Sequence, residues 1–156
     1  MRRIGLVGVG LLGSAVARRL LQHGFEVIGY ETRTTQSEAL QPQGLRAAGS
    51  VAEAGADTDA VFTILPSFES VEAVICGPEG LVETASRRTV ISQMSTISPE
   101  PTRRLHTVAA AVGLAYLDAP ISGTSVMVAR VYCTILVGGD PAVVQRSCSE
   151  VEDRDA

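Results

Sequence analysis

Four glycines fall within the first thirteen residues, and their spacing constrains the fold more tightly than any other feature of the 156-residue chain. Arg3 to Val7 is a short apolar run that reads as a strand. Gly8, Gly10 and Gly13 follow in the pattern GxGxxG, and Leu11 to Gln22 then sets apolar residues at helical spacing with Gly24 as the stop. A strand that becomes a helix so abruptly needs a glycine for the tight turn, one that leaves the first helical amides uncovered, and one that lets helix and strand pack closely. Those uncovered amides form an anion site. The helix macrodipole adds only about 0.3–1 kcal/mol at an exposed end, so backbone hydrogen bonds and missing side chains must set affinity and geometry.

The same alternation of element types continues along the chain. Phe25 to Tyr30 reads as a second strand, and Thr32 to Gln43 as a loop or short helix. Ser50 caps a brief helix through Ala56, and Ala60 to Leu65 is a continuous apolar strand ended by Pro66. Glu69 to Cys76 suggests a helix, Gly77 to Gly80 a turn and Thr89 to Ser92 a strand. Ser98, Pro99 and Glu100 supply a capping hydroxyl, a preset φ and an acid for a helix running to about Val112. Leu114 to Ala119 and Val131 to Val137 read as two more strands, the second broken by Gly138 to Pro141. Strands separated by helical stretches predict an α/β, Rossmann-type doubly wound fold, a mainly parallel sheet with helices on both faces. The spacing places this single domain over residues 1–140, followed over 141–156 by a stretch that starts like a helix and then becomes a polar tail without an apolar face.

The glycine turn sits after a strand, opens a helix and is followed at about twenty residues by an acid at the end of the second strand, the arrangement that binds the pyrophosphate of NAD or NADP. That acid is Glu31, whose carboxylate would accept from the adenosine ribose hydroxyls and repel a 2′-phosphate, which favours NAD. Arg33 and Thr34 lie nearby and offer a guanidinium and a hydroxyl to a 2′-phosphate, so NADP stays open. The cofactor contacts are thus placed at Gly8, Val9, Gly10, Leu11, Leu12, Gly13, Glu31 and Arg33.

Composition narrows the partners. A formal net charge of −4 argues against a general nucleic-acid binder. Cys76, Cys133 and Cys148 are odd in number and never in a CxxC pair, which suggests neither a disulfide framework nor a zinc site and fits a reducing cytoplasm. Arg2 and Arg3 before an apolar stretch mimic a signal peptide, but the glycines spoil that reading, and no stretch approaches the ~20 apolar residues of a membrane span. Every basic residue is an arginine; the chain has no lysine.

Four segments resemble the β-hydroxyacid dehydrogenase family, which includes 3-hydroxyisobutyrate dehydrogenase, tartronate semialdehyde reductase and 6-phosphogluconate dehydrogenase. They are Gly5 to Gly13, Leu65-Pro66, Ser95-Thr96 ahead of Ile97-Ser98-Pro99, and Asp118-Ala119-Pro120-Ile121-Ser122-Gly123 leading to Val137-Gly138-Gly139. The resemblance implies that Leu65, Pro66 and Thr96, with Ser70 beside them, border the ribose and nicotinamide. The first three also follow strands, where open α/β sheets place ligands. It further implies that Ser122, Gly123 and Thr124 receive the carboxylate of a small 3-hydroxy acid. Thr124, Val128 and Val131 stand where the family has small residues, and bulk there opposes close approach of an anion.

Members of that family continue into a helical domain that carries a catalytic lysine, so the resemblance implies a truncated chain that binds cofactor and turns substrate over poorly or not at all. No catalytic or metal-binding residue is assigned, and His23 and His106 read as surface residues. Two other readings share the same first domain: a stand-alone nucleotide-binding or sensing module, and a fragment of an imine reductase. The apolar surface that a helical domain would cover predicts self-association.

Overall fold

The computed structural model describes residues 3–33 and 35–152, the side chains of 148–152 aside. Thr34 and the last four residues of the expected tail lie outside the described residues. The chain begins β1 (Arg3–Val7), α1 (Leu11–Gln22), β2 (Glu26–Tyr30), α2 (Thr35–Leu40), a 3-10 turn (Gln41–Gln43) and β3 (Arg46–Ala47). It continues α3 (Val51–Gly55), β4 (Ala60–Thr63), α4 (Phe68–Cys76), α5 (Leu81–Thr84), β5 (Val90–Gln93) and α6 (Pro99–Ala111). The last part is β6 (Ala115–Asp118), β7 (Ile121–Ser122), α7 (Ser125–Ala129), β8 (Thr134–Ile135), β9 (Gly138–Gly139) and α8 (Pro141–Glu152).

Seven strands form one sheet in the order β3-β2-β1-β4-β5-β6-β9, while β7 and β8 make a separate antiparallel pair. The first six run parallel, and only β9 is antiparallel, against β6. This is the Rossmann-type arrangement that the alternation of elements predicts. The chain winds from β1 outward through β2 to β3, then returns to β4 on the other side of β1. The order of strands therefore reverses between β1 and β4, which leaves a crevice at their carboxyl ends.

Alternation along each strand divides the core into two layers. Ile4 and Leu6 of β1, Val27, Ala60, Val90 and Leu117 face α1 and α2 through Ala17 and Leu40. Val7, Val61, Ile91 and Tyr116 face the opposite way, onto Ala54 of α3, Val71 and Ile75 of α4, Leu81 of α5 and Leu105 and Ala109 of α6. Each such aliphatic side chain contributes about 1.5–3 kcal/mol on burial, so neither layer is dispensable.

Three expectations need correction. Ser98 precedes α6 at the capping position, but its side chain makes no cap hydrogen bond. The partner it needs is an amide two or three residues on, and Pro101 occupies the third helical position without an N–H. The strand expected over Val131 to Val137 shrinks to Thr134–Ile135, because Val131 takes a left-handed φ of 60° and ends extended pairing there. The stretch from Pro141, expected to start like a helix and then become a polar tail without an apolar face, is helical through Glu152, with Val143 and Val144 packed on the core. Its start is set by Asp140, whose carboxylate accepts from the Ala142 amide at 2.8 Å, ahead of a proline at the first helical position. Among the described residues no helix is long and apolar enough to cross a membrane.

A β-branched residue in the left-handed region is strained by roughly 1–2 kcal/mol, and Val131, 65% exposed, has little packing to compensate. Val131→Gly is predicted to stabilise the chain by about 1 kcal/mol after the extra flexibility of the unfolded glycine is counted. Urea unfolding checks it: the midpoint should rise with the m-value unchanged.

Candidate functional site

The crevice at the strand-order reversal holds a cavity of about 680 Å³. Its floor is the turn from β1 into α1, with Gly8, Gly10, Leu11, Leu12 and Gly13. Glu31 and Arg33, just past β2, form one side; Leu65, Pro66 and Ser70, between β4 and the first turn of α4, form the other. A smaller adjoining hollow of about 310 Å³ shares Gly10, Leu11, Glu31 and Arg33 and extends to Thr35 and Gln36.

The three glycines of the turn serve different ends. Gly8 has φ of 98°, and a Cβ there would lie 2.1 Å from the Ile64 carbonyl oxygen. A Cβ on Gly13 would lie 1.9 Å from the carbonyl oxygen of Gly8. These two positions are closed by the fold itself. Gly10 is different: its φ of −70° and ψ of −160° suit any residue, and a Cβ would meet nothing nearer than a Glu31 carboxylate oxygen at 4.0 Å. That missing side chain keeps the cavity open over the start of α1. No side chain caps α1 and no acid occupies its first turn, so the amides of Leu11, Leu12 and Gly13 have no partner within the helix. Ser14 then begins the ladder, its amide donating to the Gly10 carbonyl at 2.8 Å.

Glu31 is anchored by its own loop. One carboxylate oxygen accepts from the Thr32 hydroxyl at 3.0 Å and from the Arg33 amide at 3.4 Å. The other is the oxygen that faces Gly10. Glu31 and Arg33 are the only charged residues on the cavity wall among the described residues.

The structure gathers Gly8, Gly10, Leu11, Leu12, Gly13, Glu31, Arg33, Leu65, Pro66 and Ser70 around one space. Val9 is not on the wall: its side chain is fully buried in the core, and its carbonyl accepts from the Ser14 hydroxyl at 3.0 Å. Thr96 lies exposed past β5, outside the cavity lining. Ser122, Gly123 and Thr124 are exposed at the end of β7, also off this wall, and the Thr124 hydroxyl caps α7 by accepting from the Met127 amide at 3.3 Å. Tyr30, Thr32, Val51, Ala73 and Val74 line the cavity without having been singled out in the sequence. Only Ala73 and Val74 carried a signal, sitting one helical turn after Ser70.

Other titratable groups lie elsewhere. Burial pushes the Asp118 carboxyl at the end of β6 above the usual carboxylate range. Burial chiefly, with the Asp118 charge adding, raises the Tyr116 hydroxyl. His23 is exposed beyond α1, with Nδ1 2.8 Å from the Arg19 carbonyl oxygen; His106 stands edge-on to Tyr116 with ring centres 6.2 Å apart. No group of three or more potential metal ligands occurs among the described residues.

Residues 3–151 match the NAD binding domain of 6-phosphogluconate dehydrogenase. The chain is 35% identical over 144 residues to 2-(hydroxymethyl)glutarate dehydrogenase of Eubacterium barkeri, covering 92% of this chain and 48% of that protein. Among solved structures it is similar to Mycobacterium tuberculosis 3-hydroxyisobutyrate dehydrogenase with L-serine, with a TM-score of 0.88 and 30% identity over 94% of this chain and 50% of that one. It is also similar to Psf3 in complex with NADP+ and 2-OPP, with a TM-score of 0.89 and 25% identity over 96% of this chain and 53% of that one. The chain thus spans about half the length of the relatives it matches. A glycine turn whose second member alone is free of the fold, set at the reversal of a parallel sheet and matched from Arg3 onward, leaves one assignment: this chain belongs to the family of NAD-binding domains represented by that of 6-phosphogluconate dehydrogenase.

Proposed function

We propose that the chain binds NAD(H) in the cavity between β1 and β4, in preference to the 2′-phosphorylated coenzyme. The observation that carries this reading is Gly10, whose absent Cβ would occupy the cradle above the first amides of α1 while nothing in the fold forbids one. The amides of Leu11, Leu12 and Gly13 hold the pyrophosphate, and Glu31 accepts from the adenosine ribose hydroxyls. Leu65, Pro66 and Ser70 wall the ribose, and Thr96 serves the nicotinamide end. Bound NAD supplies a hydride acceptor. The chain's own contribution is to hold that group at the sheet's carboxyl edge.

In a complete oxidoreductase of this kind the substrate is a small 3-hydroxy acid, with Ser122, Gly123 and Thr124 at its carboxylate. The dehydrogenases among the similar proteins support that class. Without a lysine to exchange the proton on the substrate oxygen, the isolated chain binds cofactor and turns substrate over poorly or not at all. The apolar strip of Val126, Val131, Tyr132, Ile135 and Leu136 is exposed, and a second copy of the chain covers it in solution.

Calorimetric titration with NADH and NADPH tests the binding reading. The wild-type chain should prefer NADH, and Glu31→Ala should lose about 1.5–3 kcal/mol of NADH affinity, the worth of hydrogen bonds to a charged acceptor. A clear NADPH preference in the wild type would overturn the assignment of Glu31. Gly10→Val should abolish binding while costing at most about 1 kcal/mol of stability, the range of an unfavourable N-cap residue. Gly13→Ala, whose Cβ meets backbone, should instead destabilise the fold by roughly 3 kcal/mol. Sedimentation velocity over a concentration series checks self-association; an unchanging monomer peak would remove that part.

A further inference from the structure

The wall formed by Leu65 and Pro66 is not held by the sheet. β4 ends at Thr63, and the last amide in the ladder direction is that of Ile64, which donates to the Val7 carbonyl at 2.9 Å. The Leu65 amide donates instead to a side chain, the Ser95 hydroxyl, at 2.8 Å. Pro66 has no amide to offer. One hydroxyl from the loop after β5 therefore fixes the segment where it begins to line the cavity.

Ser95 is in turn held by Gln93, the last residue of β5, which is wholly buried. The Gln93 side chain folds over the Ser95 backbone: Nε2 donates to the Ser95 carbonyl at 2.9 Å, and Oε1 accepts from the Ser95 amide. Nε2 also reaches Oδ1 of Asp118 at the end of β6, at 3.4 Å. The serine hydroxyl approaches the Thr63 carbonyl at 3.4 Å, so it donates back to β4 while accepting from Leu65. A primary amide suits this place because it offers one donor and one acceptor to the backbone carbonyl and amide of a single residue. The chain of contacts runs from β6 through β5 to the cavity wall without touching the cavity space.

We propose that Gln93 and Ser95 are positioning residues that set the Leu65–Pro66 wall, and through it the affinity for the part of the dinucleotide beyond the pyrophosphate. The inference rests on NAD(H) occupying the cavity as argued above. It goes further by separating two halves of the site. The amides of α1 and Glu31 depend on β1 and β2, whereas the Leu65–Pro66 wall depends on a side-chain clamp at the ends of β5 and β6.

The separation is testable on the full chain by comparing NADH with ADP, which carries the adenosine and pyrophosphate alone. Ser95→Ala should weaken NADH binding about fivefold, the effect of one net hydrogen bond, while ADP affinity stays within about twofold of wild type. Ser95→Thr keeps the hydroxyl and should restore NADH. Gln93→Glu gives a second, pH-dependent readout. A protonated carboxyl still offers one donor and one acceptor to Ser95, but the carboxylate has no donor. A carboxyl here would be buried facing the Asp118 carboxyl and the Tyr116 hydroxyl, so NADH affinity of Gln93→Glu should fall relative to the wild type at the same pH as pH rises and that carboxyl ionises. Equal losses of NADH and ADP, or an NADH affinity unchanged in Ser95→Ala, would overturn the positioning role. A wild-type chain that binds neither ligand would instead remove the reading of the cavity on which it rests.

Discussion

A close backbone approach at the top of β1 fixes where α1 starts and which way it points. At the top of β1 the peptide chain has to turn, pass the end of β4 and start a helix within four residues. It does so by running backbone against backbone, with no side chain between Gly13 and the Gly8 carbonyl or between Gly8 and the Ile64 carbonyl. The sheet is hydrogen-bonded right up to that point, since the Gly8 amide donates to Tyr30 and the Ile64 amide to Val7, each at 2.9 Å. The start of α1 is consequently aimed into the crevice where strand order reverses, and its unpartnered amides open onto the cavity rather than onto another element. A bulkier turn would have to swing α1 outward, costing the core layer that Ala17 forms with Ile4, Leu6 and Val27.

Much of this was legible in the sequence because its causes are local. Buried parallel strands are continuous apolar runs, and β1, β2, β4 and β6 each fall within the run read for them, while β5 extends one residue past its run, to Gln93. Helix starts carried by a single donor and acceptor were also legible, as with Ser50, whose hydroxyl accepts from the Glu53 amide at 3.1 Å. Reading failed where one local signal overruled another. Pro101 removes one of the two amides that Ser98 could cap, and the Asp140-Pro141 pair that looked like a breaker is the opening of α8. Over 131–137 the β-branched composition was strand-like, yet the left-handed turn at Val131 answers to the geometry between α7 and β8, which no propensity encodes.

The site divides the same way. The glycine turn and Glu31 are contiguous with the elements that present them, so motif spacing was enough to find them. Leu65, Pro66 and Ser70 came from family resemblance, and only the parallel pairing of β1 with β4 puts them across the cavity from Gly8. Tyr30 and Val51 become part of the wall through the way β2 and α3 pack, and nothing in their own neighbourhoods distinguishes them from core, whereas Ala73 and Val74 are marked only by their helical spacing from Ser70. The Gln93–Ser95 clamp was invisible for a related reason: a polar residue in a strand reads as exposed, whereas Gln93 is buried because the backbone amide and carbonyl of Ser95 satisfy it.

The coenzyme preference argued for the cavity turns on how firmly its two charges are held. The Glu31 carboxylate is tethered by its neighbours through one oxygen, so the second is presented toward Gly10 at little further entropic cost. The Arg33 guanidinium is exposed and makes no ion pair among the described residues, so it would have to be ordered to grip a phosphate. Ordering a long side chain costs up to about 2 kcal/mol, and a 2′-phosphate beside Glu31 would meet a fixed negative charge besides. Ribose hydroxyls need only an acceptor, and one is already in place. An anchored acceptor beside an exposed cation without an ion pair among the described residues is the physical basis of the proposed preference for NAD, even though both charges line the same wall.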